Sequence, residues 1–302
     1  MPSRLFRLST ALRFALLCLA SPAQAGPRQD DLTHWCAALG QRLQSVATRE
    51  CLRLGLEAAP IRSVEGRALM IRDVPPRPPQ LSSLSTRAAA RPVRIFVIGG
   101  IHGDELTSVS IVFRWMEWLG EARASQHHWR IAPLSNPDGL LARPPRRTNG
   151  NGVDLNRNFP TPDWFTKALP YWSQRTGKDP RRYPGKAPLS EPETRWLHGE
   201  IERFRPDVIV SIHAPYGLLD YDGPAQEPRR FGRLNLNRLG VYPGSLGNFG
   251  GVHKNIPVIT IELAHATAMP SPHEQRQIWD DMLDWIERHI APAPAVLSAA
   301  KT

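Results

Sequence analysis

The sequence predicts an α/β fold with a mixed, mostly parallel central sheet and helices on both of its faces. Three observations carry that prediction. RIFVI (94–98), VIVSIH (208–213) and VITIEL (258–263) are short apolar runs of the kind shown by strands buried on both faces. Amphipathic helical stretches lie between and after them, at 106–118, 191–204 and 271–290. No internal repeat interrupts the series, and strand alternating with helix fits one layered unit.

The first 25 residues fit a secretory signal peptide. Arg4, Arg7 and Arg13 precede the apolar run 14–20, which ends near Ala23-Gln24-Ala25, so cleavage is expected after Ala25. The run is shorter than the roughly 20 residues of a membrane span. A lipid anchor on Cys18 fits less well, because bulky Leu17 precedes it. Removal of this segment leaves 277 of the 302 residues and lowers the formal charge from +10 to +7. That length supports one large core, and no second apolar run is long enough to span a membrane. The basic balance suits work beside polyanions such as cell-wall polymers or membrane surfaces. The pairs Arg146-Arg147, Arg181-Arg182 and Arg229-Arg230 are scattered, with no basic helix, which speaks against nucleic acid.

Residues 26–60 read as a small N-terminal helical element, with Leu32, Trp35, Leu39, Leu43 and Val46 at helical spacing. Cys36 and Cys51 are the only cysteines beyond the signal, and an oxidising compartment would pair them as a disulfide. Residues 61–290 form the main domain, opening on the strand ALMIRDV (68–74). The stretch 75–92, rich in Pro, Ser and Arg, reads as a connecting loop. Trp129–Leu134 reads as a further strand, followed by the turn sequence Asn136-Pro137-Asp138-Gly139. Residues 139–190 have little periodicity and read as long functional loops. Ser271 is placed to cap the last helix, and the Ala/Pro-rich tail 291–302 is expected to be disordered.

The chemistry gathers at a few positions. His102 and Glu105 form an H-x-x-E pair after a strand and a Gly-Gly turn, a spacing that puts both side chains on one side of a helix start. Imidazole with carboxylate suits zinc, although the four-residue pattern alone is common. His213 closes VIVSIH, and strand ends are where sites collect in α/β sheets. Glu262 stands in the apolar run VITIEL, where a carboxylate is costly unless it is paired, protonated or part of a site. The other histidines (His127, His128, His198, His253 and His265) have no partners at ligand spacing and read as surface or core residues. Asp220 and Asp222, in Leu-Leu-Asp-Tyr-Asp-Gly-Pro, read as a solvated turn, with contact to a substrate amine as the alternative.

HGDE (102–105), GVDLNRNF (152–159), the strand-ending His213 and the strand-borne Glu262 resemble, in order and separation, the zinc metallocarboxypeptidase family. The likeness runs from about Arg94 to Leu263. It implies a zinc carboxypeptidase-like fold and one Zn²⁺ held by His102, Glu105 and His213, a His₂Glu set used by such enzymes. It implies that Asp154 supports the first zinc histidine, that Asn156 and Arg157 grip a terminal carboxylate, and that Glu262 is the general base. Arg147 matches the arginine that stabilises the oxyanion, with Arg146 and Arg143 as nearby alternatives. Tyr242 stands where the family has a mobile tyrosine beside the substrate, and Tyr216 and Tyr221 are alternatives. HGDE together with NGVDLNRNFP resembles the family's bacterial murein peptide amidases, which cleave the γ-D-glutamyl–diaminopimelate bond. The resemblance therefore implies an exported, periplasmic hydrolase of murein peptides. The rivals are an N-acyl amino acid amidohydrolase of the desuccinylase and aspartoacylase type, a general metallocarboxypeptidase, and a binding module that has lost catalysis.

Overall fold

The computed structural model describes residues 27–77 and 91–290. The expected signal peptide, most of the connector (78–90) and the tail 291–302 lie outside the described residues.

The chain enters through helix α1 (Pro27–Arg42) and the short α2 (Thr48–Cys51), then forms the hairpin strands β1 (Glu57–Arg62) and β2 (Ala68–Val74). Next come β3 (Arg94–Ile98), α3 (Leu106–Trp118), β4 (His128–Ala132) and α4 (Pro137–Leu141). A long loop region follows, containing α5 (Trp164–Pro170). Helix α6 (Pro192–Phe204) leads to β5 (Val208–His213) and β6 (Leu218–Asp222). The small strands β7 (Arg230–Phe231) and β8 (Leu234–Leu236), then β9 (Val258–Glu262) and α7 (Pro272–His289), complete the fold.

The strands form one sheet in the order β1-β2-β4-β3-β5-β9-β6-β8-β7. Among the described residues, β3–β4, β3–β5, β5–β9 and β6–β8 pair in parallel, and β1–β2, β2–β4, β6–β9 and β7–β8 antiparallel. The expected parallel character thus belongs to the centre, β4-β3-β5-β9. Two of the flanking pairs, β1–β2 and β7–β8, depart from it for a simple reason. A tight connection such as 63–67 or 232–233 joins antiparallel strands, whereas a parallel pair needs a crossover long enough to hold a helix.

Period-2 alternation divides the core in two. Ile95, Val97, Val210, Ile212, Ile259 and Ile261 face α1, α3 and α7, where Trp279, Met282 and Ile286 are buried. Phe96, Ile98 and Ile209 face the other way, against Trp196, Leu197, Ile201 and Phe204 of α6. Helices therefore cover both faces. Ser271 caps α7 by accepting from Glu274 N at 3.2 Å. The Asn136-Pro137-Asp138-Gly139 turn is the capped start of α4, with Asn136 Oδ1 accepting from Gly139 N at 2.8 Å.

The N-terminal element shares the main core. Strand β1 crosses the sequence-based limit at residue 60, and Trp35 packs on Phe113 of α3 with ring centroids 6.2 Å apart. Ser45 Oγ donates to Ser110 Oγ at 2.7 Å. Cys36 and Cys51, both fully buried, are joined by a disulfide across 15 positions of chain. A bridge closing a loop of that size contributes about 3 kcal/mol if its main effect is on the unfolded chain. Cys36→Ala with Cys51→Ala should therefore lower the denaturation free energy by about that amount. Equilibrium urea unfolding of the two proteins checks it, and equal midpoints would contradict the assignment of stability to this bridge.

Candidate active site

The three central strands β3, β5 and β9 run in parallel, so their carboxyl ends deliver side chains to one edge of the sheet. Beyond β3 the chain turns through Gly99 and Gly100 into His102 and Glu105, and α3 begins at the next residue. Gly103 lies so close to α4 that a Cβ there would stand 2.2 Å from the Gly139 carbonyl carbon and 2.3 Å from Leu140 N. Only glycine lets this loop come so near another backbone. His213 and Glu262 end β5 and β9 and are register partners.

The donor atoms of His102, Glu105 and His213 lie within 4.8 Å of one another, and all three residues are buried. The two Nδ1 atoms face each other at 3.1 Å. Glu105 Oε1 lies 2.8 Å from His102 Nδ1, and its Oε2 lies 3.1 Å from His213 Nδ1. Each ring's far nitrogen is engaged elsewhere. His102 Nε2 meets Asp154 Oδ1 at 3.0 Å, and His213 Nε2 meets Ser211 Oγ at 3.0 Å. Ala214 N donates to Glu105 Oε2 at 3.2 Å. With the outer nitrogens held and both Nδ1 atoms and a carboxylate directed at one point, the set fits a divalent cation such as zinc.

Electrostatics follow from the packing. Burial alone would raise the Glu105 carboxyl, but His102 and His213 hold it far below the usual range. Burial also works against the Asp154 carboxylate, yet Arg147 and His102 keep it ionised. Glu262 is the opposite case. Burial raises its pKa, with His213 opposing, and its Oε2 is enclosed without a hydrogen-bond partner among the described residues.

His102, Arg147, Asn156, Arg157, His213 and Glu262 line one cleft. Of the three candidate arginines, Arg147 is the one in it. Arg147 Nε donates to Asp154 Oδ2 at 3.0 Å, whereas Arg146 is drawn away to Glu65 Oε1 at 2.8 Å and Arg143 is exposed. Of the three tyrosines, Tyr242 and Tyr216 both line the cleft and Tyr221 does not. Tyr242 lines the cleft, its ring 4.4 Å from the Arg157 guanidinium and its hydroxyl donating to Leu239 O at 2.7 Å. Tyr216 stands at the rim, 59% exposed. Tyr221 is packed in the core against Trp285.

The loop 149–159 is fixed by a buried polar network that links residues far apart in sequence. Asn149 Nδ2 donates to Glu191 Oε2 at 2.8 Å and to Glu193 Oε2 at 3.0 Å, while Asn149 Oδ1 accepts from Asn151 N and Val153 N. Val64 N donates to Glu193 Oε1 at 3.0 Å. Asp154 N donates to Tyr183 O, and Leu246 N donates to Asn156 Oδ1, each at 2.8 Å. Sequence patterning misses Ser211, Glu191 and Glu193. The one available signal is the cost of carboxylates inside an otherwise buried helix start.

Residues 58–228 match the sequence model of the zinc carboxypeptidase family, which is more than half of the chain, and the chain belongs to that family. The matched stretch contains His102, Glu105, Arg147, Asp154, Asn156, Arg157 and His213 and ends before Tyr242 and Glu262. Murein peptide amidase A of Escherichia coli K12 is 36% identical over 126 residues, covering 41% of this chain and 50% of that protein. The chain thus spans half the length of that relative. Murein peptide amidase A of Vibrio campbellii is 31% identical over 182 residues, covering 58% of this chain and 71% of the relative. The crystal structure of the murein-tripeptide amidase MpaA from E. coli O157 superposes with a TM-score of 0.50 at 26% identity, over 76% of this chain and 92% of that one. A carboxypeptidase A from Helicoverpa armigera shares the fold, with a TM-score of 0.56 at 16% identity, over 84% of this chain and 77% of that one.

Two outcomes follow from this geometry. Asp154→Asn weakens the hold on the His102 ring and should lower zinc affinity by about 10- to 100-fold. Competition with a chromogenic chelator measures it, and unchanged affinity would show that the ring needs no such partner. The second concerns Glu193, whose burial raises its carboxyl from 4.5 to about 7. The fold favours the neutral form, so its contribution is fully present below pH 4.5 and is lost as pH rises through about 7. Glu193→Gln should therefore remove a fall in stability between pH 5 and 8. Denaturant midpoints at several pH values test this, and identical slopes in both proteins would refute it.

Proposed function

We propose that this chain is a zinc-dependent hydrolase of murein peptides that cleaves the γ-D-glutamyl–diaminopimelate bond in the periplasm. The observation that carries the reading is the convergence of His102, Glu105 and His213 donors beside the buried Glu262, whose Oε2 has no hydrogen-bond partner among the described residues. The similarity to murein peptide amidases supports the choice of substrate. The disulfide favours an oxidising compartment. No described helix is long and apolar enough to cross a membrane.

In this proposal His102, Glu105 and His213 hold a single Zn²⁺. When bound, zinc supplies a Lewis acid that polarises a carbonyl and brings the pKa of water down to about 7. The chain's own groups divide the remaining work. Arg157, with Asn156 beside it, holds the carboxylate of the leaving residue through a planar guanidinium fork. Glu262 takes a proton from the attacking water and delivers it to the departing amine, a task suited to a carboxyl whose pKa is raised by burial. Arg147, held rigid by Asp154, presents its remaining N–H groups to the oxygen that gains negative charge.

The test joins metal analysis to mass spectrometry of digests of purified muropeptides. Zinc-loaded protein should release diaminopimelate or a fragment bearing it, and a chelator should abolish this until zinc is restored. Glu262→Gln should keep its zinc and lose about 10²–10⁴ in rate. Release of ordinary C-terminal residues from α-linked peptides, with muropeptides untouched, would reject the substrate. Hydrolysis confined to N-acyl amino acids would move the chain to the small-molecule amidohydrolase reading. Full activity of Glu262→Gln would reject the proton-shuttle role.

A further inference from the structure

Arg181 and Arg182 line the same cleft as His102, Arg147, Arg157 and Glu262. Both belong to the long loop region, yet their turn is fixed from several sides. Asp179 Oδ1 accepts from Arg181 N at 2.9 Å, and Trp172 Nε1 donates to Asp179 O at 2.7 Å. Just past the turn, Tyr183 O accepts from Asp154 N at 2.8 Å. The two arginines are therefore tied to the segment that carries Asp154, Asn156 and Arg157.

The Arg181 guanidinium reaches Asp104 Oδ2 at 2.7 Å. Asp104 lies between His102 and Glu105 in the chain, so the contact tethers a cation beside the candidate metal-binding cluster. Its other oxygen, Oδ1, is buried and has no hydrogen-bond partner among the described residues. Such an acceptor is costly until a ligand or water meets it. The Arg181 side chain is 57% exposed. A guanidinium carries five N–H donors, and the Asp104 contact leaves others available to the cleft it lines. Arg182 Nε, 3.5 Å from Asp179 Oδ2, adds a second cation to the rim. A set of donors and an unmet acceptor thus stand side by side.

Charge contacts order these groups along the cleft. Asp154, Glu105 and Asp104 all stabilise the Arg147 guanidinium. Arg157 instead has Asp154, Arg147, Tyr242 and Tyr171 around it. Arg147 therefore stands between Arg157 and the Asp104–Arg181 pair. In the proposed hydrolysis Arg157 holds the leaving residue and Arg147 faces the scissile carbonyl, which sends the acyl portion toward Asp104 and Arg181.

We infer that Arg181, steadied by Asp104, binds a free carboxylate on the acyl residue, so that the cleft selects γ-linked over α-linked substrates. This rests on the hydrolase reading for the orientation of the substrate. A glutamyl residue joined through its side-chain carboxyl keeps its α-carboxylate, on a carbon that also bears an amide N–H. The carboxylate suits the guanidinium fork, and the N–H suits Asp104 Oδ1. In an α-linked acyl residue the same carboxyl is the scissile carbonyl itself, and no anion remains at that carbon.

Calorimetric titration of the zinc-loaded full chain with N-acetyl-L-alanyl-D-glutamate and N-acetyl-L-alanyl-D-isoglutamine tests the inference without turnover. The two ligands differ only in an α-carboxylate against an α-carboxamide. The carboxylate should bind about tenfold more tightly, the low end for a hydrogen bond to a charged group. Arg181→Met should bring the two ligands to within about twofold of each other, and Arg181→Lys should keep part of the preference. An equal loss for both ligands in Arg181→Met would mark a merely structural role and overturn the inference. Equal affinities in the wild type, or a preference that survives Arg181→Met, would overturn it as well. Kinetics separate it from the proposed activity. L-Alanyl-γ-D-glutamyl-diaminopimelate and its isoglutamine counterpart should differ about tenfold in KM with similar kcat, the mark of binding lost equally in ground and transition states. Binding preference without hydrolysis of either tripeptide would count against the activity alone. Hydrolysis of both with equal KM would count against the Arg181 contact alone.

Discussion

The cleft depends on one buried carboxylate. Asp154, with no exposed surface, faces His102 Nε2 with one oxygen and accepts from Arg147 Nε with the other. Those two contacts set the ring that begins the candidate metal-binding cluster and the Arg147 guanidinium that lines the cleft beside it. Neither group is rigid by itself. An imidazole after a glycine turn can rotate, and an arginine has several free torsions. Taking the anion between them is favourable only because both bonds are made at once, since an unpaired buried charge would cost several kcal/mol. The loop carrying Asp154 is held in turn by Asn149 against Glu191 and Glu193 at the start of α6. Chemistry at the ends of β3 and β5 therefore relies on hydrogen bonds made about forty residues further along the chain.

Much of this was legible in the sequence, and the parts that were legible share a cause. A strand buried on both faces must be apolar throughout, so its polar terminal residue stands out, as His213 and Glu262 do. The helix boundaries at Leu106 and Ser271 follow from local patterns and match the structure. Contacts between distant segments left no such mark. The choice of Arg147 over Arg146 turns on Glu65, which lies on the 63–67 turn between β1 and β2. Ser211 looks like one more residue of a buried strand, although it contacts His213 two positions on. Asp220 and Asp222 resembled a solvated turn because Leu-Leu-Asp-Tyr-Asp ends in Gly-Pro. The alternation of Leu219 and Tyr221 with the acids is nevertheless the period-2 signature of a half-buried strand, and the structure forms β6 there.

The sheet divides the labour between its two kinds of pairing. The parallel centre brings donors from separate segments to a single point, because every strand in it ends on the same edge. The antiparallel neighbour β6 runs back from that edge and so presents a row of side chains at increasing depth.

The first helices also bear on how the molecule can be divided. The family match begins at residue 58, yet Trp35, Cys36 and Leu39 are buried in the same core as Val109, Phe113 and Met116 of α3. Cutting the chain at the start of that match would strip a cover from the helix that begins immediately after Glu105. The hydrophobic stripe so uncovered would favour self-association, and the smallest piece able to stand alone is therefore larger than the stretch its kinship defines.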